Sequence, residues 1–206
     1  MTDDVSRPLR ADAARNSEKI LRAAREVYAE QGPGAPLDEI ARRAGVGIAT
    51  LYRRFPDKTV LVRAILDQNF SEGLAPVIER ALLDEDPRRG LADVLEATVS
   101  QIARDYNTMA AARDSGALTA GAGDRFFEAL APLLLRGQRD GLIRADLVMD
   151  DLRRIMSMLT SVLWTMDPRE GGWRRYVVLI LDALAPDAAS PLPPAVPVRR
   201  RRGGGD

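Results

Sequence analysis

The chain has 206 residues, of which 46% are hydrophobic and 29% charged, a balance typical of a globular protein with a buried core. It contains no cysteine and no histidine, which excludes disulfides, Cys/His zinc sites, thiol nucleophiles and histidine-dependent catalytic triads. Its net charge is zero and only 5% of its residues are aromatic, so the composition favours an all-α fold and no overall attraction to nucleic acid.

Several sequence patterns that would indicate a membrane location, secretion, a metal ion or a cofactor are absent. No stretch approaches the roughly 20 consecutive apolar residues of a membrane-spanning helix, and residues 1–16 lack the apolar segment of a signal peptide. No metal-ligand spacing and no glycine-rich phosphate loop occurs. We therefore expect a cytoplasmic protein with no membrane partner, no metal ion, no cofactor and no enzymatic activity.

The chain opens with a polar segment, residues 1–15, that is predicted to be a flexible arm. The first helix is predicted to begin at Asn16 or Ser17, because both residue types are good N-caps. It is predicted to end at Gln31, where glycine and proline follow.

The next elements form a short helical hairpin. The second helix is predicted over Leu37–Ala44 and is closed by Gly45, while the third is predicted over Ile48–Phe55 and is stopped by Pro56. A long fourth helix follows, with Asp57 as its cap.

The rest of the chain is predicted to be helical as far as residue 186. Gly73 and Pro76 lie where the fourth helix should bend or break. Turn signals separate later helices at about 77–84, 88–106, 124–139, 148–166 and 171–185. The predicted domains are a helix-turn-helix domain over 16–62, a larger helical effector-binding and dimerisation domain over 63–186, and a disordered Pro/Arg/Gly tail over 187–206.

The functional prediction comes from the stretch Leu37 to Phe55. Leu51 and Phe55 are expected to hold the third helix on one side, which leaves Thr, Tyr and Arg side chains on the other. The major groove admits one such helix, whose N-terminal residues reach base edges. Residues 42–58 carry five cations and one acid, a local net charge of +4. The alternative is an ordinary helical hairpin with a solvated charged face.

Residues 16–66 strongly resemble the DNA-binding domain of the tetracycline-repressor (TetR) family. The resemblance rests on the run LDEIARRAGVGIATLYRRFPDKTVL, which EKILRAAREVYAEQG precedes. It implies that the third helix is the recognition helix and that Tyr52 and Lys58 contact phosphates. The candidate DNA-binding residues are Gly47, Ile48, Ala49, Thr50, Tyr52, Arg53, Arg54 and Lys58.

Three positions depart from the family pattern. Pro36 stands where many members have threonine, and it cannot supply a hydroxyl to a phosphate. Gly47 stands where serine is common and Ala49 where glycine is common. These changes affect individual contacts and leave the turn intact.

The last two helices carry apolar residues at alternating steps of four and three. Stripes of this kind can be buried inside the monomer or against a symmetry mate. The resemblance implies a homodimer interface, and a two-fold dimer would match a palindromic operator. The predicted interface residues are Leu152, Ile155, Leu159, Val162, Trp173, Val177, Ile180 and Leu184.

The resemblance also implies that the middle helices enclose a pocket for a small-molecule effector. Such a ligand acts only if it favours a dimer geometry that no longer fits the operator. Each candidate lining residue has an ordinary core position as its alternative. The candidates are the larger apolar residues Tyr106, Met109, Phe126, Phe127, Met156 and Trp164, with Leu130 and Met158 beside them.

The sequence therefore predicts a DNA-binding transcriptional regulator that is released from its operator by an effector. Repression is the commoner behaviour in the family that it resembles. The first alternative is a helical ligand-binding or interaction protein with the same fold that no longer reads DNA. The second alternative is a small all-helical enzyme, against which the absence of His and Cys argues.

Overall fold

The computed structural model describes residues 6–118, 123–186 and 190–197, and within these ranges every regular element is helical. The predicted all-α fold is therefore confirmed. The π-helical turn Phe70–Leu74 joins α4 to α5, and the 3-10 turns Leu163–Thr165 and Pro168–Glu170 lie between α9 and α10. The α-helices are α1 (Ser6–Gln31), α2 (Leu37–Ala44), α3 (Ile48–Arg54), α4 (Lys58–Asn69), α5 (Ala75–Leu83), α6 (Pro87–Arg104), α7 (Tyr106–Asp114), α8 (Asp124–Arg139), α9 (Met149–Val162) and α10 (Arg174–Ala183).

The chain divides into two compact units, and the first contains the residues up to Gln68 together with Asp105–Leu118. It therefore includes α7, which lies far from α1–α4 in the sequence. Within this unit α1 packs against α2 and α7. Apolar residues with no exposed surface form its core, among them Ile20, Val27, Tyr28, Ile40, Leu51, Leu61, Ile65 and Ala111.

The second unit contains Asn69–Arg104 and the described residues after Leu118. Helix α6 packs against α5, α8, α9 and α10, so it is the central helix of this unit. The approach of α6 to α5 requires glycine, because a Cβ on Gly90 would lie 2.8 Å from the carbonyl oxygen of Ala81. Fully buried leucines supply much of the core, among them Leu91, Leu95, Leu130, Leu133 and Leu152.

Several boundaries differ from those predicted. Helix α1 begins at Ser6, so part of the predicted arm is helical. The predicted helix over 88–106 ends at Arg104, and α7 starts separately because Asp105 leaves the helical conformation with φ −99° and ψ 31°. The α-helical conformation of α4 ends at Asn69, and the π-helical turn that contains Gly73 separates it from α5, so the helix is interrupted near the place where a bend or break was expected. Within the described ranges, no helix is long and apolar enough to cross a membrane.

Part of the predicted disordered tail is tied to the second unit. Arg144 Nη2 donates to the carbonyl oxygen of Ser190 at 2.7 Å, and the Leu192 N–H donates to Asp146 Oδ2 at 2.9 Å. Arg154 donates to the carbonyl oxygen of Val196. Residues 190–197 are thus held in place, because their backbone polar groups find side-chain partners that no sequence pattern indicates. Residues 187–189 and 198–206 lie outside the described ranges.

Candidate nucleic-acid interface

The turn between α2 and α3 depends on one glycine. Gly45 has φ 67° and ψ 33°, a left-handed conformation that glycine adopts without the steric cost of a Cβ. The N–H of Gly45 donates to the carbonyl of Arg42 at 3.2 Å, and that of Val46 to the carbonyl of Ala41 at 3.0 Å. These bonds end α2, and the chain then turns into α3.

Helix α3 is held to the first unit along one face. The Leu51 side chain is completely buried and Phe55, which follows the helix, is nearly so. Both belong to the core that α1, α2 and α4 form. Because a seven-residue helix has little stability of its own, this burial decides where α3 lies.

The opposite face of α3 is open to solvent. Ile48 and Tyr52 keep 41% and 47% of their surfaces exposed, which is unusual for large apolar side chains one helical turn apart. Ala49 and Arg53 are exposed beside them, and Thr50 is half-buried. The structure thus brings the predicted contact residues of α3 together on one accessible surface, with Gly47 exposed at its start.

Two arginines of the predicted basic patch are neutralised by acids within the first unit. Arg42 Nη2 lies 2.6 Å from Glu39 Oε1, and Arg43 Nη2 lies 2.6 Å from Glu30 Oε2. The hydrogen bond from Arg43 lowers the pKa of Glu30, and that from Arg42 lowers the pKa of Glu39. Nearby carboxylates therefore offset two of the five positive charges of residues 42–58 and leave those of Arg53, Arg54 and Lys58.

Arg54 and Lys58 also have partners in the same unit. Arg54 Nε donates to Ser17 Oγ at 2.8 Å. Lys58 Nζ donates to the carbonyl of Pro33 and lies 5.5 Å from the ring centroid of Tyr28. Among the described residues, Arg53 has neither an ion pair nor a hydrogen bond. In the part of the chain that the structure describes, it is the one cation of residues 42–58 without a hydrogen-bonding partner.

Tyr28 explains why Lys58 is held at this place. The Tyr28 side chain is completely buried, and its hydroxyl has no hydrogen-bond partner within the described residues. Burial raises the pKa of Tyr28 to about 12, so the phenol stays neutral. A neutral aromatic ring attracts a cation at its face, and the half-buried Lys58 ammonium occupies that position.

The predicted effector-pocket residues do not all belong to one unit. Tyr106 and Met109 lie on α7 in the first unit, where Met109 packs against the core. In the second unit, Phe126 and Phe127 are buried with their ring centroids 5.0 Å apart, and Met156 is buried as well. The other candidates are Trp164, which is half-buried, Leu130, which is buried, and Met158, which is exposed.

A charged pair that the sequence did not indicate lies beside these phenyl rings. The guanidinium of Arg153 lies 4.4 Å from the ring centroid of Phe127, and its Nη2 lies 2.8 Å from Asp124 Oδ1. Arg153 and Asp124 are on different helices, α9 and α8, and no spacing rule relates them. Their proximity is a product of tertiary packing alone.

The predicted dimer stripe is mostly core of the same chain. This finding corrects the prediction, because a side chain with almost no exposed surface in the monomer cannot be a main contact between monomers. The prediction was wrong because an apolar stripe on a helix has the same period whether it packs within a chain or between chains. Leu152, Ile155, Leu159, Trp173, Val177 and Leu184 are buried, and Val162 and Ile180 are half-buried.

Other apolar residues of α9 and α10 are exposed. Met158 keeps 54%, Val178 57% and Leu179 52% of their surfaces accessible, and Tyr176 is exposed as well. They occupy the positions between the buried ones. Exposed apolar residues on two helices that pack together are typical of an interaction surface. Of this set the sequence had singled out only Met158, as a pocket candidate.

Residues 20–65 match the model of the family described as bacterial regulatory proteins of the tetR family. The uncharacterized HTH-type transcriptional regulator TtgW of Pseudomonas putida is 40% identical over 63 residues, which make up 30% of this chain and 47% of TtgW. This chain therefore spans less than half the length of that curated relative.

Similarity to solved structures extends into the second unit. A TetR transcription regulatory protein from Mycobacterium vanbaalenii is 34% identical, over 86% of this chain and 99% of that one, with a TM-score of 0.56. The TetR-like transcriptional regulator LfrR from Mycobacterium smegmatis, solved in complex with proflavine, is 26% identical over 87% of this chain and 99% of LfrR, with a TM-score of 0.55. The resemblance found in residues 16–66 thus covers most of the molecule.

Proposed function

This chain belongs to the TetR family of bacterial transcriptional regulators, and we propose that it acts as a homodimer that binds a palindromic operator through α3. As a member of that family it is a DNA-binding regulator. The observation that carries the proposal is the division of α3 into a buried side, with Leu51, and an exposed side with Ile48, Tyr52 and Arg53. A helix held in this way can enter a major groove without unfolding its own support.

The exposed side of α3 divides into base-reading and phosphate-binding residues. Arg53 reads base edges, where a bidentate contact to guanine contributes about 1–3 kcal/mol of discrimination. Apolar Ile48 and Ala49 contact thymine methyl groups, and Thr50 lies at the same edge. The Tyr52 hydroxyl and the exposed backbone at Gly47 contact phosphates, which set the orientation of the helix but carry no sequence information.

The dimer forms through the exposed apolar residues of α9 and α10. Burying Met158, Tyr176, Val178 and Leu179 against the same residues of a second copy removes apolar surface from water at about 25 cal/mol per Å². A two-fold axis then presents two copies of α3 to half-sites spaced by one helical turn, about 34 Å, or a multiple of it. This dimer face replaces the one predicted from the sequence.

The second unit binds a small-molecule effector, and binding releases the operator. The structure of LfrR in complex with proflavine supports a ligand-binding role for this chain. Here the buried rings of Phe126 and Phe127, with Met156, supply apolar surface for such a ligand. The regulator represses its targets in the cytoplasm until the effector favours the form that does not fit the operator.

Operator selection from genomic DNA with the purified protein tests the proposal. We expect a palindromic motif and nanomolar binding that weakens as salt rises. Arg53→Ala should reduce discrimination at particular base pairs, whereas Arg80→Ala, which removes the same charge from the second unit, should bind as the wild type does. Recovery of no motif, with no salt-dependent binding to any duplex, would instead support a helical ligand-binding protein that does not read DNA.

A further inference from the structure

Residues 190–197 combine an apolar composition with high exposure to solvent. The segment has the sequence SPLPPAVP, with four prolines and no charged residue. All eight of its residues are exposed, and Leu192 and Val196 keep 41% and 69% of their surfaces accessible. The segment therefore buries little apolar surface within its own chain, and apolar burial does not explain why it is held in one place.

Hydrogen bonds to the backbone hold the first half of this segment. The buried Arg144 donates from Nη2 to the carbonyl oxygen of Ser190 at 2.7 Å, and the Leu192 N–H donates to Asp146 Oδ2 at 2.9 Å. Arg144 also donates to the carbonyl oxygen of Ala183 at 3.4 Å, so the same guanidinium connects the segment to the end of α10. Because these bonds use backbone groups of the segment, its apolar side chains stay accessible.

The second half of the segment is held by α9. Arg154 donates to the carbonyl oxygen of Val196. Arg154, Met158 and Ser161 are spaced by four and three residues, so they lie on one face of α9. Met158 and Ser161 are exposed, whereas Leu159 on the opposite face is buried. The segment thus reaches the exposed face of α9, to which the proposed dimer contact Met158 belongs.

We propose that residues 190–197 extend the dimer face of α9 and α10, so that Leu192 and Val196 contact a second copy of this chain. This inference rests on the proposed function, because it enlarges the homodimer face proposed there. The segment is continuous with that face through Arg154 and through the end of α10. Its lack of charge also fits, since charged residues are depleted at the cores of protein interfaces.

The hydrogen bonds and prolines give the segment a further property that suits an interface. Proline restricts the backbone before any partner binds, and the bonds from Arg144, Asp146 and Arg154 fix the segment on its own unit. A preorganised segment loses less conformational entropy on association than a flexible tail does. Residues 190–197 therefore present Leu192 and Val196 to a second copy at a low entropic cost.

Removing the apolar side chains of the segment tests the contact in the full-length protein. The double variant Leu192→Ser/Val196→Ser should raise the dimer dissociation constant by at least about tenfold, because each dimer would lose four apolar side chains from its interface. Leu83→Ser is the matched control, since Leu83 is an exposed leucine of α5, outside the proposed face, and its dimer should be as tight as that of the wild type. Sedimentation equilibrium measures the constant, and circular dichroism checks that each variant is folded.

The absence of cysteine from the sequence allows a second measurement. Val196→Cys places the only thiol of the protein on the segment, at a position that is exposed in the monomer. If only the monomer reacts, alkylation by N-ethylmaleimide should slow to about a tenth of its monomer rate where nine chains in ten are dimeric. Leu83→Cys should react at the same rate at every protein concentration.

Three results would overturn the inference while the wild type dimerises. The double variant could dimerise as tightly as the wild type, it could dimerise more tightly because the segment covers the face instead of joining it, or the thiol of Val196→Cys could react equally fast at all concentrations. Leu179→Ala should weaken the dimer in each of these cases, since Leu179 belongs to the face on α10. A wild type that is monomeric at every concentration would instead overturn the proposed homodimer, and this inference with it.

Discussion

The two units of this protein differ in how directly their sequence reports their function. In the first unit, a contiguous run of residues predicts the turn, the buried side of α3 and its exposed side, and a family model matches residues 20–65. In the second unit, equally regular apolar stripes predicted an interface where the structure has a core. The duplex has one geometry, so a protein that reads it needs particular residues at particular spacings. Ligand binding and dimerisation need only apolar surface, which many sequences can supply.

The largest expected effect is the loss of stability when a buried side chain that holds α3 in place is truncated. Leu51→Ala removes a completely buried side chain and should lower the free energy of unfolding by about 2–5 kcal/mol. Leu83→Ala, at an exposed leucine of the second unit, should change it by less than about 0.5 kcal/mol. Urea unfolding of both variants measures these changes in the free energy of unfolding. Equal losses for the two would mean that α3 is not held by its buried face.

A second pair of leucines tests the revised dimer face. Leu152→Ala should cost about 2–5 kcal/mol at every protein concentration, because Leu152 is buried within its own chain. Leu179→Ala should leave the monomer fold intact and raise the dimer dissociation constant, since Leu179 is exposed. Sedimentation equilibrium and thermal unfolding at several concentrations distinguish the two. If Leu152→Ala instead dissociated a folded dimer, the original stripe would be the interface after all.

Substitutions on the exposed side of α3 should have smaller effects, and these should appear as losses of operator affinity. The losses should depend on base sequence for Arg53 and not for Tyr52. Arg53→Ala should cost about 1–3 kcal/mol on the preferred operator and little where the contacted base pair is changed. Tyr52→Phe should cost about 0.5–1.5 kcal/mol on every sequence, because a phosphate contact carries no base information. Titration of a panel of single-base operator variants gives both values. A Tyr52→Phe loss confined to one base pair would contradict the phosphate role.

The smallest expected effect is a difference between the two units in how their stability depends on pH in the acidic range. Hydrogen bonds from Arg43 and Arg42 lower the pKa of Glu30 and of Glu39 in the folded state from an ordinary value of 4.5. Their stabilisation is therefore complete above pH 4.5 and is lost as pH falls through the lower folded pKa. In the second unit, the hydrogen bond from Arg144 lowers the pKa of Asp146 further, from 3.8, so its tie to Leu192 persists to more acidic pH.

Urea unfolding between pH 5 and 2.5 checks this difference, with Glu30→Gln as the test variant. The wild type should lose more stability than Glu30→Gln over this range, because the variant has no carboxylate at position 30 to protonate. Asp146→Asn should also lose less stability than the wild type, but only as pH falls below 3.8, the ordinary pKa of that carboxyl. Parallel curves for the wild type and Glu30→Gln would show that the pair with Arg43 contributes nothing measurable to the fold.

Elements with strong local signals were predicted well. The bounds of α2 and α8 agree with those predicted, since Gly45 and Gly141 end them with left-handed turns that the sequence marks. Helix α7 was missed because the chain turns at Asp105 without glycine or proline. The ties of residues 190–197 were missed because Arg144 and Asp146 reach them across more than 40 positions of the chain.

The amino-acid sequence by itself determined the helical class, the turn at Gly45 and which residues of α3 face outward, because these depend on spacing within a few residues. Only the tertiary structure decided which cations of residues 42–58 are paired, that α7 belongs to the first unit, and which side of α9 and α10 is exposed. The reason is physical: charge pairing and burial depend on neighbours that are distant in the chain, and local periodicity is the same whatever those neighbours are.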